Sequence, residues 1–263
     1  MMHDAYLIYF FSGLIGIIIG SFISMLTWRL PRILDLAPEE QLKNISISRS
    51  HCPQCQTPLP WYRLFPLFSW LASRGKCHAC KTPISARYPL IEFITGLFTL
   101  FMVYHFGLNI TAAYALVFTW ILITLCVIDI EHQLILDKLS LPLMWIGLLI
   151  NTQSTFASPI EAIWGAAAGY MILWTIFQIF KLITGKEGMG YGDFKLLAAL
   201  GAWFGIASLP QIILIASLSS IILGVFLAVT RLKPLSDPIP FGPYLAIGGW
   251  VSLIWGSDLI QQM

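Results

Sequence analysis

The sequence predicts an all-α polytopic membrane protein with about eight transmembrane helices and a small polar loop domain between the first and the second. Hydrophobic residues make up 57% of the 263 residues and charged residues only 11%, whereas soluble domains carry about 25% charged residues. Apolar runs recur along the chain, most of them near the roughly 20 residues that cross a bilayer core. Between the first two runs lies a proline-rich polar stretch that holds four of the five cysteines.

The apolar runs define the predicted helices and domains. The first run covers residues 6–26, and residues 1–5 carry no Lys or Arg. Since no small-residue cleavage site follows, we expect a retained helix rather than a removed signal peptide. The runs that begin at Leu139 and Phe194 are short for a full crossing, so they are expected to begin below the surface or beside a water-filled recess. The later runs cover residues 89–106, 111–128, 139–151, 159–183, 194–208, 210–230 and 239–255. The predicted domains are a first helix (1–27), a loop module (28–88) and a seven-helix membrane domain (89–263).

The distribution of basic residues predicts the side that each loop faces. Nine of the 15 Lys and Arg lie in residues 28–88, which the positive-inside rule places in the cytoplasm. If the N-terminus is outside, the other cytoplasmic segments are 129–138, 182–195 and 231–238. The remaining basic residues all fall in or at the edge of these segments: Lys138, Lys181, Lys186, Lys195, Arg231 and Lys233. We therefore expect both termini outside and the loop module in the cytoplasm.

The loop module contains two Cys-x2-Cys pairs, Cys52 with Cys55 and Cys77 with Cys80, separated by 21 residues. Each pair offers two thiolates from one tight turn, and two such turns close a tetrahedral site. The pattern predicts a structural zinc ion whose binding supplies much of the free energy of folding of the module. A pair of disulfides is the alternative, which a reducing cytoplasm disfavours.

Two carboxylates at the cytoplasmic ends of predicted helices indicate catalysis. Asp129 follows the run 111–128, and Asp193 precedes the run that begins at Phe194. Ionisable residues in or beside membrane helices are functional candidates. Two carboxylates in one site share a proton, so that the ionised one activates a water and the protonated one hydrogen-bonds a scissile carbonyl. The pattern therefore predicts the pair of an aspartic protease, with Gly188, Gly190 and Gly192 allowing the backbone to approach a peptide.

Other interpretations of the polar residues stay open. Asp193 is also placed to cap the helix that begins at Phe194. A proton- or cation-coupled transporter would use the same two carboxylates, and a non-enzymatic assembly scaffold would use the loop module for docking. Glu161 is expected to complement a helix macrodipole, and Cys126 to be a small core residue.

The motifs together resemble those of the type IV prepilin peptidases, the bifunctional leader peptidases and N-methyltransferases of bacterial pilus and type II secretion systems. The resemblance covers nearly the whole chain. In the first half it rests on Gly20-Ser21-Phe22, Arg29-Leu30-Pro31, the two cysteine motifs, Pro66-Leu67-Phe68-Ser69-Trp70 and Arg87-Tyr88-Pro89-Leu90-Ile91-Glu92. In the second half it rests on Asp129-Ile130-Glu131, Gly188-Met189-Gly190-Tyr191-Gly192-Asp193-Phe194-Lys195 and Ile239-Pro240-Phe241-Gly242-Pro243. One departure is Ile135-Leu136-Asp137, where the family usually has Ile-Pro-Asp, and there we expect a looser turn with Asp129 intact.

The resemblance implies an enzyme of the bacterial inner membrane that cleaves prepilins and pseudopilins on the cytoplasmic side, after Gly and before Phe. It also implies methylation of the new N-terminus from S-adenosylmethionine. Asp129 and Asp193 would be the catalytic pair. Glu92 and Gly96, four residues apart and so on one helix face, are the candidates for the methyl-donor site, with helix packing as their alternative. A peptidase without methylation is the alternative function.

The resemblance also suggests roles for residues near the pair. Lys195 is expected either to tune the neighbouring carboxylate or to meet lipid headgroups, and Glu131 and Asp137 to attract the basic leader of a prepilin. Residues Phe241-Gly242-Pro243 are implied to line the site. The expected partners are prepilin or pseudopilin substrates and the lipid bilayer, with no nucleic acid and no oligomeric state predicted.

Overall fold

The structure, a computed structural model, describes residues 2–46, 51–52, 54–60, 65–230 and 239–256. All the regular elements in these ranges are helices, apart from two isolated bridges, His51 to Pro58 and Lys76 to Pro83. The predicted all-α fold is therefore confirmed. Residues 231–238, expected as a cytoplasmic loop with Arg231 and Lys233, lie outside the described residues. The chain divides into two compact units, Met1–Thr124 and Leu125–Met263, whereas the division of domains at residue 88 stays a prediction.

The first unit is built on two long apolar helices that pack along each other. Two glycines of the first helix allow this packing, because their backbone lies against the other helix. A Cβ atom at Gly16 would lie 2.5 Å from Cβ of Thr99, and one at Gly20 would lie 2.7 Å from Cα of Glu92. Gly16 and Gly20, four residues apart on α1, therefore allow close packing of the two helices. The helices of this unit are α1 (Met2–Arg29), α2 (Pro38–Ser46), α3 (Phe68–Ala72), α4 (Arg87–Phe106) and the larger part of α5 (Ile110–His132).

The second unit surrounds one short buried helix. It contains the end of α5 together with α6 (Asp137–Asn151), α7 (Pro159–Thr184), α8 (Tyr191–Phe204), α9 (Leu209–Val229) and α10 (Gly242–Trp255). Helix α8 is buried over nearly its whole length and packs chiefly against α6 and α7. Gly165 and Gly201 stand where α7 and α8 cross, and a Cβ on either would overlap the backbone of the other. The core of this unit therefore depends on close backbone approach.

Hydrogen bonds from buried side chains fasten α6 to the end of α8. The Asn151 Nδ2 atom donates to the carbonyl oxygens of Ala202 at 2.9 Å and of Trp203 at 2.8 Å. In return, Trp203 Nε1 donates to the carbonyl oxygen of Leu143 at 2.8 Å. The last carbonyl groups of a helix have no partner within it, so Asn151 supplies the donors that the apolar surroundings lack.

Among the described residues, five helices are long and apolar enough to cross a membrane: Tyr6–Arg32, Arg87–Phe106, Ile110–His132, Pro159–Thr184 and Ile206–Val229. Helices α6, α8 and α10 have 15, 14 and 14 residues, which at 1.5 Å per residue gives roughly 21–23 Å. The runs at Leu139 and Phe194 are therefore short, as expected. The last run is short as well, because its helix begins at Gly242.

The acid at the start of α7 has the structural role that the sequence predicts. The Ser158 side chain accepts a hydrogen bond from the Glu161 backbone N–H, and the Glu161 carboxylate accepts one from the Ser158 backbone N–H at 3.1 Å. This reciprocal pair satisfies two donors at the helix start.

Candidate active site

Asp129 lies within the last turn of α5, because this helix continues to His132 instead of ending at Ile128 as expected. The Asp129 side chain is only 5% exposed. Its Oδ2 atom accepts a hydrogen bond of 3.0 Å from the backbone N–H of Gly242, the first residue of α10. Burying a carboxylate is costly unless it is hydrogen-bonded, so this bond both stabilises Asp129 and fixes its orientation.

Asp193 lies in the first turn of α8, with its side chain 8% exposed. The helix begins at Tyr191, and its N-cap residue is Gly190, which offers no side-chain cap. The helix therefore begins three residues earlier than expected, and the alternative in which Asp193 caps a helix that begins at Phe194 is wrong. In its actual place, the Asp193 carboxylate stands near the positive end of the helix macrodipole.

The buried side chain of Ile135 connects the surroundings of the two acids. A Cβ atom at Gly192 would lie 2.7 Å from Cβ of Ile135, and one at Gly242 would lie 3.0 Å from its Cδ1. The residue before Asp193 and the residue that hydrogen-bonds Asp129 thus pack on the same side chain. The two carboxylates are close enough for the charge of Asp129 to act on Asp193. Acids from distant parts of the sequence therefore meet in one site within the second unit.

The glycines around this site differ in what surrounds them. A Cβ atom at Gly242 would lie 2.7 Å from Oδ2 of Asp129, and Gly192 is equally crowded by Ile135. A Cβ atom at Gly190 would meet nothing closer than Oδ2 of Asp193 at 3.8 Å. The site is therefore crowded on the side of α10 and open beside Gly190, which is exposed.

An ion pair joins the starts of α6 and α8. The Lys195 Nζ atom lies 2.7 Å from Oδ1 and 2.6 Å from Oδ2 of Asp137. Asp137 is the first residue of α6, and Lys195 lies two residues after Asp193 on α8. Lys195 is thus engaged by a carboxylate outside the pair, and the charge of Asp137, which was expected to attract a basic leader, is balanced by it. Glu131 is exposed on α5.

The segment before α6 has Leu136 at the position where the resemblance suggests a proline. Ile135 and Leu136 are both buried, and Leu136 has φ −78° and ψ 124°. Proline holds φ near about −65°, so leucine here adopts backbone angles that proline would also adopt. Burial of the two side chains therefore holds a turn that the sequence alone suggested would be looser.

The four cysteines of the loop module form one cluster in the first unit. Their sulfur atoms all lie within 4.8 Å of one another, with Cys52 Sγ 3.8 Å from Cys80 Sγ and Cys55 Sγ 4.0 Å from Cys77 Sγ. Tetrahedral zinc with bonds of about 2.3 Å to sulfur separates its ligand atoms by roughly 3.8 Å. The thiols are free, so the cluster has the size for a metal ion and not the bonding of disulfides.

The two cysteine turns have the same sequence pattern and the same backbone conformation. The pattern extends beyond the two Cys-x2-Cys pairs themselves. Both read Cys-x2-Cys-x-Thr-Pro, and in both the first cysteine accepts a hydrogen bond from the residue that precedes the threonine. Those residues, Gln56 and Lys81, have φ of 56° and 59°. The two matching turns bring the four sulfur atoms within 4.8 Å of one another.

Hydrogen bonds to sulfur favour the thiolate form in most of the cluster. Backbone N–H groups of Cys80 and Ala79 lower the pKa of Cys77. The hydroxyl and backbone N–H of the threonine two residues on lower the pKa of Cys55 and Cys80. The pKa of Cys52 is raised, since burial and the neighbouring thiols outweigh the backbone hydrogen bonds that lower it. Thiolates are the form in which cysteine binds metal.

Glu92 and Gly96 face α1 within the first unit. The buried Glu92 carboxylate accepts a hydrogen bond of 2.7 Å from the backbone N–H of Leu67 and another from the Ser21 side chain. A Cβ atom at Gly96 would lie 2.6 Å from Cγ1 of Ile17. Both residues thus have packing roles, and their assignment to a methyl-donor site stays a prediction. Cys126 is half-buried on α5.

The sequence does not predict the part that Ile135 plays in packing beside both acids. Its side chain has no reactive or polar group, so no motif points to it. The role of Gly242 was only implied by resemblance. A glycine that precedes a proline at the start of an apolar run is the signal that could have identified a crowded helix start. Its hydrogen bond to Asp129 joins residues 113 positions apart.

Comparison with known proteins covers most of the chain. Residues 14–106 match the Bacterial Peptidase A24 N-terminal domain, and residues 116–225 match the Type IV leader peptidase family. No solved structure matches the chain.

Curated relatives with the name prepilin leader peptidase/N-methyltransferase align over nearly the full length. The protein from Stutzerimonas stutzeri is 44% identical, over 93% of this chain and 90% of its own length. The protein from Pseudomonas aeruginosa is 45% identical, over 94% and 90%, and that from Aeromonas hydrophila is 44% identical, over 94% and 91%. The chain therefore belongs to the type IV leader peptidase family.

Proposed function

We propose that this chain is a membrane-embedded aspartic endopeptidase that removes the basic leader of type IV prepilins or pseudopilins and then N-methylates the new N-terminus. The observation that carries the proposal is the meeting of two buried acids, Asp129 and Asp193, from separate helices of a family member. A single buried carboxylate with only a structural role would need a hydrogen-bond donor and no second acid. Two buried acids whose neighbouring residues pack on the same side chain, Ile135, and of which one feels the charge of the other, are an arrangement that can share a proton.

The proposed chemistry follows from that arrangement. The ionised carboxylate takes a proton from a water whose oxygen attacks the scissile carbonyl carbon, and the protonated carboxylate hydrogen-bonds the carbonyl oxygen. The carboxylate that took the proton from water then gives it to the leaving amine as the C–N bond breaks, which returns the pair to its starting protonation. The backbone N–H of Gly242 holds the Asp129 carboxylate in place throughout, and the open side beside Gly190 admits the peptide.

The position of the scissile bond follows from how the substrate lies in the bilayer. A prepilin carries a basic leader before an apolar helix, so its scissile bond lies at the cytoplasmic interface. We infer that residues 28–88, 129–138 and 182–195 face the cytoplasm of the bacterial inner membrane and that both termini lie outside. The segregation of basic residues supports this orientation.

We further propose that the metal of the cysteine cluster is structural zinc, because four thiolates leave no open coordination position. The methyl donor is proposed to be S-adenosylmethionine, with Glu92 and Gly96 as candidate residues for its site. Mass spectrometry of the cleaved pilin N-terminus, with and without S-adenosylmethionine, separates the proposed enzyme from a peptidase that does not methylate. A proton-coupled transporter would cleave nothing.

Replacement of either acid by its amide should abolish cleavage. We expect Asp129→Asn and Asp193→Asn each to lower the rate of prepilin cleavage about a hundredfold or more, because an amide can neither take a proton from the water nor share one with the other acid. The measurement is single-turnover cleavage of a prepilin by the full chain in detergent or vesicles. Asp35→Asn, at an exposed carboxylate of the first unit, is the control that should cleave normally. Undiminished cleavage by either amide variant would refute the catalytic pair.

A methyl group at Gly242 should misplace Asp129. We expect Gly242→Ala to slow cleavage at least about tenfold, because the new Cβ would lie 2.7 Å from Oδ2 of Asp129 and 3.0 Å from Ile135. Gly224→Ala is the matched control, since its Cβ would meet only Ile239 Cδ1 at 3.4 Å. Equal cleavage rates for the two alanine variants would contradict the role of the Gly242 hydrogen bond.

Reversal of one charge at the junction of α6 and α8 should disturb Asp193, and a double reversal should restore it. We expect Asp137→Lys or Lys195→Asp alone to slow cleavage about fivefold, because like charges then face each other at the start of α8. The double variant restores the attraction and most of the rate. Lys195→Met, which removes the half-buried cation and leaves the exposed Asp137 carboxylate to water, should have a smaller effect. The idea fails if the double variant is slower than both single ones.

Loss of one cysteine should release the metal. We expect the purified wild-type chain to contain about one zinc ion per molecule and Cys52→Ser to contain almost none, because three thiolates bind zinc far less tightly than four. Elemental analysis measures the content, and Cys126→Ser, outside the cluster, serves as the control. Full retention of zinc by Cys52→Ser would show that the cluster is not the metal site.

A further inference from the structure

The described residues leave one apolar face of the short helix α3 uncovered. Its Trp70 side chain points into the unit, where Nε1 donates to the carbonyl oxygen of Ile84 at 3.1 Å and the ring lies against Gly75. Phe68 and Leu71, three residues apart and therefore on one face, are each 64% exposed. A phenylalanine and a leucine on a rigid turn are thus presented to whatever surrounds the first unit.

The depth of α3 follows from the hydrogen bond that precedes it. The backbone N–H of Leu67 donates to Oε2 of Glu92 at 2.7 Å, and Glu92 lies five residues after the start of α4 at Arg87. Five residues correspond to about 7.5 Å along a helix axis. Helix α4 has 20 residues, about 30 Å, which matches the hydrocarbon core of a bilayer. The start of α3 is therefore held level with the first turns of a membrane-spanning helix.

The neighbouring parts of the unit are themselves exposed apolar surface. Next to Glu92, α4 exposes Leu90 and Phe93, and α1 exposes Phe22 beside Ser21, which also hydrogen-bonds Glu92. These side chains belong to two helices long enough to cross a membrane. The exposed face of α3 thus lies at the depth at which these two helices expose apolar side chains.

We propose that α3 is an interfacial membrane anchor, with Phe68 and Leu71 inserted among the lipid chains just below the headgroups. The exposed basic side chains of Arg74 and Lys76 follow directly, at the level where anionic headgroups attract positive charge. Cys77 comes next in the chain. The anchor and the Glu92 hydrogen bond therefore fix the height of the four-cysteine module against the bilayer.

Site-specific photocross-linking tests this inference in the full chain. The protein is reconstituted without substrate in vesicles of phosphatidylethanolamine and phosphatidylglycerol, with a photoreactive phenylalanine analogue at Phe68, at Leu71 or at Trp70. Trp70 is the matched control because it lies on the same helix and faces inward. Retained zinc in each variant shows that the module is folded. We expect phospholipid adducts, identified by mass, at positions 68 and 71 in several times the yield at position 70.

Two other results would overturn the anchor. One is the absence of lipid adducts at positions 68 and 71, which would mean that this face meets water. The other is a cross-link from these positions to a second copy of the chain, or to an added prepilin in preference to lipid, which would assign the face to a protein partner. Neither result depends on whether the acids of the second unit cleave a peptide.

Discussion

The arrangement around the paired acids depends on the hydrogen bond between the backbone N–H of Gly242 and the carboxylate of Asp129. A carboxylate surrounded by apolar helices must receive donors or lose its charge. Here the donor is the first residue of α10, so α10 has to begin beside the last turn of α5. That contact leaves no room for a side chain at Gly242. The remaining space is filled by Ile135, on which the turn before Asp193 also packs.

The short helices of the second unit follow from the same need. Helix α8 has 14 residues, too few to cross a bilayer core, and is buried over nearly its whole length. Exposed backbone groups are not tolerated in lipid. They are satisfied at its far end by Asn151, whose amide donates to two α8 carbonyl oxygens. At its near end, the irregular glycine-rich segment lies beside the two acids.

The first unit applies the same chemistry for a different purpose. Glu92 is buried in the groove between α1 and α4, and its donors come from Leu67 and Ser21. The carboxylate therefore ties the polar loop module to a pair of membrane helices. The module itself has little apolar core, and its two cysteine turns hold their sulfur atoms at the spacing of a metal's ligands. A metal ion at the cysteines and the proposed contact of α3 with the membrane would together stabilise the fold of this module.

The amino-acid sequence by itself determined the helical membrane class, the position of nearly every helix, the cysteine cluster and the two acids. The class follows from the composition, the helices follow from the apolar runs, and the cysteines and acids are residue types with specific chemistry. Only the tertiary structure decided the helix ends at Asp129 and Asp193, the donor from Gly242, the packing of Ile135 and the partner of Lys195. Each of these depends on contacts between segments far apart in the chain, and a run of apolar letters does not reveal which backbone group or side chain will be its neighbour.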